Sequence, residues 1–176
     1  MNLISKPTRG HAALRRGRHS EQGRVYLIAF VTADRNLVFA DWDTAAVCVR
    51  ASLQPSIWRA SRLLCWVLMP NHWHGLIELG GMDSLPALVN RIKGSTSRTV
   101  NMRCGRSGHL CSKGFHDHAL RADEVLISIA RYVISNPVRA GLVNRVGMYP
   151  FWDAVWLDAC GASTTHKCDR ISTHRP

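Results

Sequence analysis

Short apolar runs bounded by turn residues, and not long helical stripes, set the rhythm of the first half of this chain. Val25-Tyr26-Leu27-Ile28-Ala29-Phe30-Val31 is an apolar run of strand length, and Leu63 to Met69 is a second. Pro70-Asn71 then interrupts the text before another apolar stretch from His72 to Leu79, which predicts a hairpin. Between the first two runs, Asp41 to about Leu53 has helical composition. After the hairpin, Asp83 or Ser84 can cap a helix with Pro86 in its first turn. Leu85, Leu88, Val89 and Ile92 recur there at helical spacing, so one side packs and the other carries Arg91, Lys93 and Arg98.

A glycine-rich basic loop from Cys104 to Gly114 leads into a short strand candidate, Phe115 to Arg121. Asp123 is then placed to cap a helix running to about Ser135, and Asn136-Pro137 should end it. The resulting order is strand, helix, strand, strand, helix, strand. That is the order of an α+β, ferredoxin-like split βαβ sandwich: an antiparallel sheet with helices on one face, plus an added C-terminal helix carrying Tyr132. No internal repeat or low-complexity tract interrupts it.

Length and composition agree with a single core. The 176 residues suit one domain with short tails. Residues 1–20 are expected to form a basic flexible arm carrying Arg15, Arg16 and Arg18, residues 21–158 the catalytic domain, and residues 159–176 a polar tail. No run approaches the roughly 18 apolar residues of a membrane span, and the arginine-rich start is unlike a secretory signal, so a cytoplasmic, nucleoid-associated protein with no membrane partner is expected. The six cysteines are scattered without a CxxC pair and are expected to stay reduced. The tail residues Cys160, His166, Cys168 and His174 have no recognised zinc spacing.

Charge narrows the choice of partner. A formal net charge of +11, with arginine far outnumbering lysine, suits planar contact with phosphate, and nucleic acid is the natural partner. Against that background, His72-Trp73-His74 is a candidate half of a metal site. Alternation along a strand puts both imidazoles on one face and Trp73 on the other, where it can anchor the strand. His116-Asp117-His118 is a second such triplet, ranked lower because its middle residue would turn a carboxylate toward the expected core. On the last helix, Tyr132 and Asn136 are one turn apart and share a face. The apolar stripe Val125, Leu126, Ile129, Ala130, Val133 lies to one side, leaving the phenol free of the core. An amphipathic tyrosine at a core edge beside a helix-ending asparagine has the same pattern.

Two long segments sharpen these choices. Trp66-Val67-Leu68-Met69-Pro70-Asn71-His72-Trp73-His74 and Arg131-Tyr132-Val133-Ile134-Ser135-Asn136-Pro137-Val138-Arg139-Ala140-Gly141-Leu142-Val143 resemble the REP-associated tyrosine transposases, relatives of the HUH transposases of small single-strand insertion sequences. Gly114 to Arg121 and Tyr149 to Trp156 extend the likeness over roughly residues 20 to 158. The resemblance implies that His72 and His74 are the HUH histidines, Tyr132 the nucleophile and Asn136 a third ligand to a divalent cation, Mg or Mn. It also implies a substrate: a repetitive extragenic palindrome folded as a hairpin with a short single-stranded flank. Two features depart from the family pattern, Cys111 where the family often has tryptophan and the tail after Asp158.

That chemistry has a physical basis. A phenol titrates near 10, so it must lose its proton as it attacks phosphorus. A cation on two imidazoles and an amide oxygen would keep positions open for the scissile phosphate, and its nitrogen ligands tilt the preference toward manganese. Arg91, Lys93, Arg98, Arg131 and Arg139 are the candidates for phosphate contacts beyond the arm. A non-catalytic nucleic-acid-binding module of RRM type is the alternative, since the same sheet serves both, but the strands lack RNP-like aromatics. A relaxase-type HUH enzyme would share the chemistry without the Asn136 to Val143 stretch. Whether the protein is a monomer or a homodimer is not legible in the sequence.

Overall fold

The computed structural model describes residues 20–121 and 124–156. Each apolar run is a strand. Val25–Val31 forms β1, Trp42–Ser52 α1 and the single turn Pro55–Trp58 α2; Arg62–Met69 (β2) and His72–Glu78 (β3) form the hairpin, followed by α3 (Leu85–Arg103). Then come β4 (His116–Ala119), α4 (Leu126–Ile134), the one-turn α5 (Asn136–Arg139) and β5 (Trp152–Ala154). Asp41 caps α1 through a 2.9 Å bond from the Thr44 amide, and Ser84 caps α3 with proline in its first turn. The cap expected of Asp123 lies outside the described residues.

All five strands join one sheet in the order β4-β1-β3-β2-β5, with every pairing antiparallel. The edge strand β5 has no counterpart in the apolar pattern, because three residues offer no periodicity to read. Alternation along the hairpin divides two cores. Trp66, Leu68, Trp73 and Ile77 pack with α1 and α3 residues such as Val49, Leu88 and Ile92. Cys65, Val67, Met69 and Leu76 face the opposite way, against Ala130 and Val133 of α4. The expected sandwich is therefore present with its added helix on the far face of the sheet, the face that carries the histidines.

Two of the sequence-predicted boundaries hold, each with a further detail. The Asn136-Pro137 pair ends α4 but does not release the chain, because α5 follows at once with proline in its first turn. It stops at Gly141, whose φ of +69° suits glycine, and the amides of Gly141 and Leu142 bond back to Val138 and Pro137. Asp83, one of two candidates for the α3 cap, instead binds the Arg91 guanidinium through both carboxylate oxygens.

Candidate active site

The histidines owe their position to the hairpin. Met69 pairs directly with His72 across the Pro70-Asn71 turn, and the turn is pinned to β1 because both the amide and the hydroxyl of Thr32 donate to the Asn71 carbonyl, at 2.9 and 3.0 Å. Trp73, between the histidines, is buried and stacks on its cross-strand partner Phe30 with centroids 5.2 Å apart. Gly75 makes this possible: a Cβ there would collide with the Trp73 indole. The tryptophan thus lies flat along its own strand, and the imidazoles stand rigidly on the other face. Their ring centroids are 4.8 Å apart, nearly perpendicular.

Both rings are held toward the neutral form. His72 Nδ1 lies 2.6 Å from the Asn71 side-chain oxygen, and an oxygen there keeps the proton on Nδ1 and the lone pair on Nε2. Burial, then the charge of Arg35, lowers the His72 pKa. Burial, then His72, Arg139 and His116, lowers that of His74 to about 4. At neutral pH neither ring has a proton to shed before meeting a cation.

Tyr132 sits on α4 with its side chain half exposed, at 51%, and Arg139 lies over its ring with the guanidinium carbon 4.1 Å from the centroid. The charge of the same guanidinium, after burial and His72, also opposes protonation of His74. The break at Asn136-Pro137 starts the short helix α5, whose last residue is Arg139. Proline cannot donate to the Val133 carbonyl, as a residue at that position in a continuous helix would; the Asn136 side-chain amide does so instead, at 2.8 Å. That fixes the amide nitrogen inward and leaves its oxygen without a hydrogen bond among the described residues.

No group of three His, Cys, Asp or Glu side chains gathers around a common point among the described residues. A cation held here would draw two nitrogens from His72 and His74 and take its further ligands from an amide, water or substrate. His116, the first histidine of the lower-ranked triplet, stands on the same cross-sheet row as His74, both opposite Ala29. A strand's register across a sheet is set by pairing alone, so no local signal could have shown it. Its neighbour His118 turns to Glu124, at 3.0 Å.

The cationic candidates separate clearly. Arg91 is committed to Asp83 and to the Ile57 carbonyl. Lys93 donates to the carbonyls of Ser112 and Gly114 at 2.6 and 2.9 Å. Arg98 and Arg131 are exposed. Arg15, Arg16 and Arg18 lie outside the described residues. Cys48, Cys65, Cys104 and Cys111 are free thiols.

Comparison with known proteins decides the family. Residues 23–136 match the family described as "Transposase IS200 like". The chain belongs to the IS200-like transposases. The matched stretch of this transposase contains His72, His74, Tyr132 and Asn136, and an enzyme of the transposase kind is the class it defines. Its fold is that of a REP-associated tyrosine transposase solved bound to a REP hairpin, at 21% identity and a TM-score of 0.62, covering 83% of this chain and 86% of that one. A chain described as a candidate transposase of Deinococcus radiodurans R1 is 17% identical with a TM-score of 0.45, covering 68% of this transposase and 95% of its own length. No curated protein matches the chain, and no described helix is long and apolar enough to cross a membrane.

Proposed function

We propose that this transposase cleaves and rejoins single-stranded DNA at repetitive extragenic palindrome hairpins, with Tyr132 as nucleophile and a divalent cation, Mg or Mn, on His72, His74 and the Asn136 oxygen. The observation that carries the reading is the place of Arg139, stacked on the Tyr132 ring while its charge acts on His74. A phosphate drawn to that guanidinium would lie beside the phenol. The ligand chemistry fits: two neutral imidazoles, one with its tautomer fixed by Asn71, and an amide oxygen free because its nitrogen is tied down.

When bound, the cation would polarise the phosphoryl oxygens and hold the phosphate in line. The remaining work falls to the chain. Arg139 offsets charge on the phosphate and restrains the tyrosine ring; the packed hairpin holds the imidazoles still. The Tyr132 oxygen bonds to phosphorus as its proton leaves, the bond from phosphorus to the 3′-oxygen breaks, and that oxygen takes up a proton. A 5′-phosphotyrosine and a free 3′-hydroxyl result, so the phosphodiester is exchanged, not hydrolysed, and the reverse attack rejoins the strand.

A denaturing gel tests the reading with a labelled hairpin carrying a single-stranded flank and manganese. Wild-type protein is expected to form a covalent adduct. Tyr132→Phe, His72→Ala and His74→Ala should each reduce it by roughly 1,000-fold or more, with hairpin binding retained in Tyr132→Phe. An adduct persisting in Tyr132→Phe would move the nucleophile elsewhere.

A further inference from the structure

A second polar site lies on the other face of the sheet. Between α3 and the 108–111 loop is an open groove of about 410 Å³, and its walls hold Lys93, Ser97, Arg98, Asn101 and His109 but no carboxylate. On α3, residues 94, 97, 98 and 101 share one face. Gly94 leaves the floor empty, since a Cβ there would meet nothing closer than the Arg98 Nη1 atom at 3.8 Å.

The opposite wall is firmly built. The Asn101 amide donates to the Gly108 carbonyl at 2.9 Å. The Ala33 amide donates to the Leu110 carbonyl, the Ser112 amide to that of Val31, and the Ser112 hydroxyl to that of Thr32 at 2.8 Å. Within this frame Arg98 and His109 have no hydrogen-bond or ion-pair partner among the described residues and are both exposed. Elsewhere on α3, Arg91 is neutralised by a carboxylate; here Arg98 and His109 line one groove with Ser97 and Asn101, and no acidic group lines it to balance them. Such a set is complementary to a phosphate.

The groove also has a telling position. Cys111 forms a bridge with Thr32, the residue after Val31, and Val31 is the cross-strand partner of His72. The groove and the histidine pair thus occupy the same end of the sheet on opposite faces, and a strand or stem bent around that end would reach both. We propose that this groove is a second phosphate site, which takes a backbone phosphate of the DNA away from the cleaved bond. The inference rests on the transposase reading above for the identity of its ligand.

Fluorescence anisotropy with the labelled hairpin, over a range of salt from about 50 to 300 mM and without added divalent ion, tests it on the full chain. Arg98→Ala should weaken binding about 3- to 10-fold and lower the slope of log affinity against log salt by about 1. Gly94→Asp, which puts a carboxylate into the empty floor at a helical position with room for it, should weaken binding at least as much. Unchanged affinity and slope in both variants overturns the site. So does a groove that takes free phosphate alone, seen as inorganic phosphate shifting the His109 imidazole resonances while both variants keep their DNA affinity. The outcomes separate from those of the cleavage assay. Wild type that binds the hairpin without forming an adduct would sink the catalytic reading alone; adduct formation with both groove variants unaffected would sink this one alone.

Discussion

His74 shows what one side chain inherits from its surroundings. In water an imidazole is half protonated near 6.5, but partial burial beside His72, Arg139 and His116 brings it to about 4. With metal removed by a chelator, its NMR resonances should titrate near pH 4 and show no inflection between about 6 and 7. A midpoint in that higher range would mean that the ring is solvated and the site looser than described. Between about pH 6.5 and 4 the unfolded chain takes up a proton that the folded one refuses, so this residue's contribution is complete above about 6.5 and declines as pH falls, by up to about 1.4 kcal/mol per unit.

Among the elements, hairpin and helix α3 respond oppositely to the same substitution. Gly75→Ala drives a methyl into the Trp73 indole, and should cost about 1–3 kcal/mol and loosen the histidine pair. Gly94→Ala meets open space on a helix and should gain about 0.5–1 kcal/mol. Urea unfolding of the two variants checks both; equal effects would remove the packing argument. This contrast also marks what could be read in advance. Strands β1 to β3 and helix α3 are legible because their apolar spacing and caps are local signals. The pairing of His72 and His74 on one face follows from alternation alone. Three features are not legible: the side of the sheet that α4 covers, the short strand β5, and the row that sets His116 beside His74. Each depends on partners distant in sequence. Asn71 is visible only as a turn residue, although its side chain orients His72. Arg91 and Lys93 look like any other exposed helical cations until Asp83 and the 112–114 carbonyls are seen to hold them.

For the molecule as a whole, the net charge of +11 sets a salt-dependent attraction for any polyanion. Deleting residues 1–20, with Lys6, Arg9, Arg15, Arg16 and Arg18, should weaken hairpin binding and reduce the salt slope by about 1 for each phosphate that segment neutralises. An unchanged slope would make the segment inert toward DNA. On the two proposals above, the faces of the sheet would divide the work, with the histidine pair on the α4 face and the groove beside α3.

The side chain of Asn136 ties this division together. Its nitrogen closes a helix that proline has cut, while its oxygen has no hydrogen-bond donor among the described residues. An ion pulling on that oxygen would pull on the helix end as well, so loading the centre and stiffening the knuckle between α4 and α5 become one mechanical event. Arg139, three residues further along and already over the tyrosine ring, would be held there more firmly once the centre is filled.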